Sequence, residues 1–383
     1  MADWTLWIQG SDHLFYNTSR GTPQMWKSVD LAPLAADING LWGPTNAFKI
    51  YVVVEEKGIF YWDGADWTQE YDTGGVGGPW TSYNRPDTRT VSGADDDTLV
   101  IASGFGDWYE KIVARQGPPG TSWNTEFDPG TNTYQVLNCH CAADGSAAFA
   151  TLQDWNTSDL YLYERTAGPP GGPGTWAQVA SFTQGTVNAW WYHMWVVSST
   201  EVYVLGELEP YSGGPDQITI WKWNGSTFSV VFTESSGWCC PRGIWMSKDG
   251  TEGWAIAATS DWPEYDKMYR YSGGSWSLQG SAEVNYVCRD ITQIDGEFSS
   301  TRSLAYWSYY NKMDASNAWI GNTNYGIPGY TYGCNSGDQY CRRASLNLGS
   351  FGSGSIEIRY FNHAPDTNPT LWAAYNGKLA YSL

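Results

Sequence analysis

The chain has 383 residues, 42% of them hydrophobic and only 16% charged, with a formal net charge of -19. A field of that sign repels nucleic acid and anionic membrane surfaces, so neither is expected as a partner. No apolar run is long enough to span a bilayer, and the opening MADWTLWIQGSDH lacks the basic start and apolar core of a secretory signal.

Aromatic residues are abundant: 24 Trp, 26 Tyr and 12 Phe, set among 43 Gly and 18 Pro. Aromatic and β-branched runs broken by Asp-Gly, Asn-Gly and Gly-Gly turns are the composition of many short strands. No segment sustains a helical period.

A repeating unit runs along the chain. It consists of an apolar strand, a polar turn, a second strand, a loop, a third strand, a Gly-containing turn and an aromatic. Trp26, Trp67, Trp123, Trp176, Phe228 and Trp276 close successive units, 41 to 56 residues apart. That period predicts a propeller, in which each outer strand packs an aromatic on the next blade. We expect one all-β domain over residues 1–383, a closed propeller of four-stranded antiparallel blades, with seven blades and eight as the alternative count. The proline-rich stretches at 118–120 and 169–174 fall between third and fourth strands, as rigid hairpin loops and not as linkers.

The two ends share a pattern, TLWIQGSDHLFY at Thr5 to Tyr16 and TLWAAYNGKLAY at Thr370 to Tyr381. Closure by these two hairpins would hide the free edges of the array.

The segments LWGPTNAFKIYVVVEEKGIFYWDGADW and IWMSKDGTEGWAIAATSDWPEYDKMYRYSGGSW resemble the Trp-rich propeller repeats of bacterial and phage surface proteins. SKDGTEGW, Ser247 to Trp254, resembles the Asp-box turn of sialidase-like propellers. The resemblance implies architecture and a place on an assembly exterior, a phage tail or capsid or the outside of a cell. It implies no activity.

Loops between second and third strands leave a propeller on one face. Three of them contain Asp-Trp: Asp107-Trp108, Asp154-Trp155 and Asp261-Trp262, the last followed by Glu264. A fourth carries Glu209 and Tyr211. Aromatic faces stack on sugars, while carboxylates accept hydroxyl hydrogen bonds or bind Ca²⁺. We therefore expect a face that binds a glycan or another virion or surface protein, with no cofactor beyond Ca²⁺ on these acids. The competing reading makes each Trp a loop lid and each Asp a turn cap.

A second group lies where innermost strands begin, at the channel mouth: Arg89, His140, His193, Arg242 and Arg289, with Arg85 and Asp290 nearby. It suits an anionic ligand, or else simple pairing with the surplus of acids. No Gly-x-Ser-x-Gly elbow, His-Glu-x-x-His or phosphate loop is present, so the expected protein is not an enzyme. The rivals are an exported lectin-like adhesin and a sialidase-like hydrolase working through two loop carboxylates.

Seven Cys cannot all pair within one chain. Cys139-His140-Cys141 with Cys239-Cys240 offers ligand types that zinc takes, but buried free thiols are the commoner outcome. Cys334 with Cys341, or Cys240 with Cys288, are the candidate disulfides.

Overall fold

A computed structural model gives the fold. It describes most of residues 38–283, apart from 44–49, 55–56, 64, 73–89, 95–96, 106–110, 130–133, 155, 170, 184, 186, 236–238, 260–264 and the side chains of some further strand residues. Outside that range it describes only the backbone of strands near the two ends.

Every regular element among the described residues is a strand. The first sheet contains β1 (Thr5–Gln9), β2 (His13–Thr18) and β3 (Lys27–Asp30). The second is β4 (Ile38–Trp42), β5 (Ile50–Val54), β6 (Gly58–Trp62) and β7 (Trp67–Asp72). The third is β8 (Val91–Gly93), β9 (Leu99–Phe105), β10 (Lys111–Gln116) and β11 (Trp123–Phe127). The fourth is β12 (Tyr134–Cys141), β13 (Ala148–Asp154), β14 (Leu160–Thr166) and β15 (Thr175–Phe182). The fifth is β16 (Val187–Ser198), β17 (Glu201–Pro210), β18 (Gln217–Trp223) and β19 (Phe228–Ser235). The sixth is β20 (Cys239–Met246), β21 (Glu252–Thr259), β22 (Tyr265–Ser272) and β23 (Ser275–Glu283). The seventh is β24 (Val287–Ile294), β25 (Glu297–Ser303), β26 (Ser308–Met313), β27 (Trp319–Ile320) and β28 (Gly326–Ile327). β29 (Ala344–Asn347) returns to pair with β1, and β30 (Ile356–Tyr360), β31 (Leu371–Tyr375) and β32 (Lys378–Ser382) form an eighth, three-stranded sheet.

All pairings are antiparallel between chain neighbours, apart from the return of β29 to β1 and the added pairing of β28 with β26. Innermost strands of consecutive sheets are neighbours: β4 with β8, β8 with β12, β12 with β16, β16 with β20 and β20 with β24. Among the described residues no sheet closes on itself; the architecture is a propeller-like series of sheets. The two terminal patterns each form a hairpin, β1 with β2 and β31 with β32. β31 already lies between β30 and β32, so it has no free edge for β1, and Ala344–Asn347 takes that place.

The core lies between sheets. Strands β5, β9 and β13 are buried throughout their described length, as the middle strand of a sheet covered on both faces must be. The closing aromatics share one register: Trp62↔Trp67, Arg115↔Trp123, Arg165↔Trp176, Trp223↔Phe228 and Tyr271↔Trp276. Only Trp276 of the five is buried; the others are half-buried because the outer strand has solvent on one side. Trp26 lies outside the described residues.

Each outer strand bulges three residues after its aromatic. The extra residues are Glu70, Glu126, Val179, Val231 and Gln279. A bulge re-aims the inserted side chain, and twice it carries a carboxylate into the next sheet. Glu70 accepts two bonds from Arg115 at 3.0 Å, one from the Trp123 indole at 3.1 Å and one from Gly120 N at 3.2 Å. Glu126 repeats the arrangement with Arg165 at 2.5 and 2.6 Å, Trp176 at 3.2 Å and Gly174 N at 2.6 Å. The proline-rich loops thus sit between third and fourth strands, as expected, and present these glycine N–H groups. Each seam holds a buried ion pair whose remaining donors and acceptors are largely satisfied, the condition under which burial of charge is tolerated.

The hairpins between first and second strands also repeat. In three six-residue turns the first N–H bonds the sixth carbonyl and the fourth N–H bonds the first carbonyl: Ala94 to Leu99, Ala142 to Ala147 and Ser247 to Glu252. The fourth residue is left-handed in each, Asp97 (φ 66), Gly145 (φ 71) and Gly250 (φ 68). Asp97 tolerates that conformation because its carboxylate is held by Arg115 at 2.6 Å and the Tyr51 hydroxyl at 2.8 Å. Burial pushes the Tyr51 phenol far above the ordinary tyrosine range, against the opposing pull of Arg115. At Gly250 a Cβ would lie 2.6 Å from Glu201 Oε2, so that carboxylate would have to shift to admit one. Glu201 instead receives the Tyr203 hydroxyl at 2.8 Å and Lys222 at 2.6 Å. The same tyrosine–carboxylate–cation group is rebuilt from a different strand.

Candidate functional site

The loop between β17 and β18 carries two of the residues expected on a binding face. β17 is buried through Glu207, then emerges, with Leu208 half-buried and Glu209 exposed. Pro210 ends the strand and accepts the Gly213 N–H at 3.1 Å, closing a tight turn with Gly213 left-handed (φ 74). Tyr211 stands at the first central position of that turn with 59% of its surface exposed. Glu209 accepts a bond from Asn188 Nδ2 of β16 at 3.2 Å. A large aromatic and a carboxylate are therefore displayed on a short turn fixed by two long strands.

Beneath them, Asp216 and Glu207 are both buried. Burial holds the Asp216 carboxyl above the usual aspartate range; Glu207 works in the other direction, and the charge of Glu209 adds to the rise.

The loop after β13 is built differently from the expectation. Asp154 is buried, and its Oδ1 accepts the N–H groups of Asn156 at 2.7 Å and Thr157 at 3.3 Å. Its backbone N–H bonds Asp159 O at 2.9 Å. Asp154 is a turn cap and not a free ligand-binding acid, because a six-residue connection needs those N–H groups satisfied locally. Trp155, Asp107, Trp108, Asp261, Trp262 and Glu264 lie outside the described residues. Among the described residues, no group of three or more His, Cys, Asp or Glu is placed to hold a metal ion.

In five sheets the innermost strand skips a residue in its register, at Asn39, Leu137, Tyr192, Arg242 and Arg289, and β16 skips Val197 as well. Two arginines named from the sequence are therefore inserted residues on adjacent strands, although their side chains, like all of Arg89 and Arg85, lie outside the described residues. His140 is half-buried, with its ring 4.6 Å from that of Trp195. Its Nδ1 accepts the Val196 N–H at 3.2 Å, which joins the fourth and fifth sheets. His193, half-buried, pairs with Leu205 in β17.

Cys139 and Cys141 are buried free thiols. The Cys139 sulfur is 3.0 Å from the Thr90 hydroxyl, and Cys141 N bonds Ser92 Oγ at 3.1 Å. The candidate pair Cys334 and Cys341, and the side chains of Cys240 and Cys288, lie outside the described residues. Sequence reasoning missed the Arg–Glu seams, although Trp-x-x-Glu occurs at both Trp67–Glu70 and Trp123–Glu126.

No family model matches the chain, and no curated protein matches it. Its fold is similar to several solved structures. A putative 6-phosphogluconolactonase from Bacteroides uniformis aligns over 90% of this chain and 99% of its own, at TM-score 0.58 and 10% identity. A prolyl endopeptidase structure aligns over 96% of this chain at TM-score 0.52 and 9% identity; the match spans 51% of that protein. The Swd1 β-propeller domain of Myceliophthora thermophila aligns over 75% of this chain and 85% of its own, at TM-score 0.47 and 8% identity. At such identities the first two similarities speak for the fold alone.

Proposed function

We propose that this chain is a non-enzymatic recognition propeller. In this reading it stands on the exterior of an assembly such as a phage tail or capsid. It binds a glycan or a partner protein through the loops between second and third strands. The observation that carries the reading is the pairing of exposed Tyr211 with exposed Glu209 on a turn anchored by β17 and β18. Loops on a rigid scaffold are where binding concentrates, and tyrosine supplies contact area at low entropic cost.

Ring closure belongs to the same proposal. β24 neighbours β29, and β29 neighbours β4, which supports seven sheets in a cycle with the eighth outside it.

The test is binding to a glycan panel and to intact bacterial cells by the unaltered protein and by Tyr211→Ala, Trp108→Ala and Trp262→Ala. Loss of about tenfold or more in affinity with unchanged melting is expected for at least one, since aromatic anchors dominate contact energy. Equal binding by all three, or turnover of any glycan, overturns the reading.

A further inference from the structure

An innermost strand has a sheet partner on one edge only, so alternate N–H groups point away from its own sheet and need an acceptor from elsewhere. At two consecutive joints a side chain of the preceding sheet supplies that acceptor. Between the third and fourth sheets, Thr90 Oγ1 accepts the Cys139 N–H at 2.9 Å and Ser92 Oγ accepts the Cys141 N–H at 3.1 Å. Between the fourth and fifth, His140 Nδ1 accepts the Val196 N–H at 3.2 Å. Of these three acceptors only the imidazole takes up a proton near neutral pH. We propose that the His140–Val196 contact is an acid-labile joint. It ties the fourth and fifth sheets together while the ring is neutral and lets go when the ring is protonated.

The chemistry of the ring gives the reason. To accept at Nδ1, the imidazole must be neutral with its proton on Nε2. An imidazolium carries N–H on both nitrogens and would meet the Val196 N–H donor to donor. Val196 is only 2% exposed, so its N–H would then be a buried donor without this acceptor. The relief available is a local separation that lets water in. The Trp195 ring, 4.6 Å from the imidazole, does not oppose the change, since an aromatic face attracts a cation.

The charged surroundings were traced on each element packed against β12. β8 and β9 carry no titratable residue. On β10, Lys111 is paired with Asp128 at 2.8 Å, and Arg115 with Glu70 and Asp97. The acid of β13, Asp154, stands at its far end opposite Tyr134. β16 carries His193. In the row of His140, Phe149 comes next and Glu164 of β14 beyond it. Glu201, next to the Val202 that pairs with Val196, is engaged by Lys222 and Tyr203. In the hairpin after β12, Asp144 is exposed and feels the charge of Lys248. The side chains of Arg89, Arg242 and Arg289 lie outside the described residues. Cys139 and Cys141, on either side of His140, contact Thr90 and the Ala142 carbonyl through their sulfurs, and among the described residues they belong to no group placed to hold a metal.

The sign follows from the bond. Keeping it and binding a proton at Nδ1 exclude each other, so the open joint binds more protons than the closed one. Closure is therefore favoured above the ordinary imidazole range, about pH 6.5, and is lost as pH falls below it.

The joint lies near the hairpin that follows β12, at the opposite end of that strand from the loop of Asp154, and its test uses no ligand. Amide hydrogen exchange of Val196 is measured in the full chain at pH 7.5 and pH 5, corrected for intrinsic exchange. Protection should fall by about tenfold or more at the lower pH. The amides of Cys139 and Cys141, held by hydroxyls that do not titrate, should change by less than about twofold. His140→Asn, which offers an amide oxygen as acceptor, should keep Val196 equally protected at both pH values. His140→Phe, which keeps a ring against Trp195 and removes the acceptor, should leave it weakly protected at both. Constant protection of Val196 in the unaltered protein overturns the joint. So does an equal fall at Cys139, Cys141 and Val196, or a fall in His140→Asn as large as in the unaltered protein. Nitrogen chemical shifts of the His140 ring in the unaltered protein give a check that needs no variant. At pH 7.5 Nδ1 should be the bare nitrogen, and a proton found there overturns the proposal as well.

Discussion

The carboxylate of Glu126 meets the indole N–H of Trp176 at 3.2 Å across the seam between the third and fourth sheets. One sheet earlier, Glu70 and Trp123 meet in the same way at 3.1 Å. In both cases the acid is the inserted residue of an outer-strand bulge, and an arginine of the next sheet completes the group. The bulge, a nuisance in an isolated hairpin, is here the device that lets one sheet hold the next.

Removing this acid should be costly. Glu126→Ala leaves Arg165, only 3% exposed at its side chain, without its main counter-charge. It also strips the Trp176 and Gly174 N–H groups of their acceptor. Breaking one member of a buried pair costs about 3–5 kcal/mol. Urea unfolding of Glu126→Ala should show that loss. A value within about 1 kcal/mol of the unaltered protein would mean that water replaces the acid.

The aromatic positions separate by burial. Trp276→Ala should cost about 3–5 kcal/mol, because Trp276 is buried against Tyr203 and Tyr271 and its removal opens a cavity. Trp67→Ala should cost less than about 2 kcal/mol, since the Trp67 ring packs on Trp62 at 5.5 Å but remains half-exposed. Equal losses from the two substitutions would contradict the difference in their surroundings.

The turn at Asp97 permits a cleaner comparison. Asp97→Ala and Asp97→Gly both delete the carboxylate that Arg115 and Tyr51 share, so the lost bonds are common to the two. They differ in how they meet φ 66. The alanine variant should be less stable than the glycine variant by about 1 kcal/mol. Reversal of that order would show that the turn relaxes out of the left-handed region.

The units and their closing aromatics were legible because a sheet of this kind imposes the same aromatic at the same register, as at Trp123, Trp176 and Trp276. The loop of Glu209 and Tyr211 was legible for a related reason: the chain direction of β17 and β18 fixes the side on which it emerges. The seams were not. Glu70 and Glu126 lie in polar stretches that read as solvated outer strands, and only the bulge, a property of pairing register, turns them inward. Asp97 sits in Asp95-Asp96-Asp97, which reads as an exposed acidic run, and its partner Arg115 comes from another strand. Asp154 shows the converse. Its Asp-Trp pattern looked like a display motif, yet the loop geometry uses the carboxylate as a cap.

The turn at Ser247–Glu252 gives a prediction whose sign depends on pH. The Asp249 carboxyl is held below the usual aspartate range, chiefly by the Ser247 hydroxyl at 2.6 Å and then by the N–H and hydroxyl of Thr251 at 3.1 and 2.8 Å. Asp144 is lowered in the corresponding turn by Ser146. A carboxyl lowered in the folded state contributes stability above its unfolded value, and that contribution disappears as pH falls through the folded value. Asp249 is well exposed, so solvent screens the effect to about half a kcal/mol at most. Asp249→Asn should therefore melt slightly below the unaltered protein at pH 7, with the two curves converging near the acid end of the aspartate range. Ser247→Ala should cost more and should keep its deficit in acid, because the Ser247 hydroxyl also bonds the Glu252 N–H and carbonyl at 3.0 Å, contacts that do not titrate. Melting curves from pH 7 to pH 3 for the three proteins decide the matter. An Asp249→Asn deficit that persists unchanged at pH 3 would show that the carboxylate charge contributes nothing to the turn.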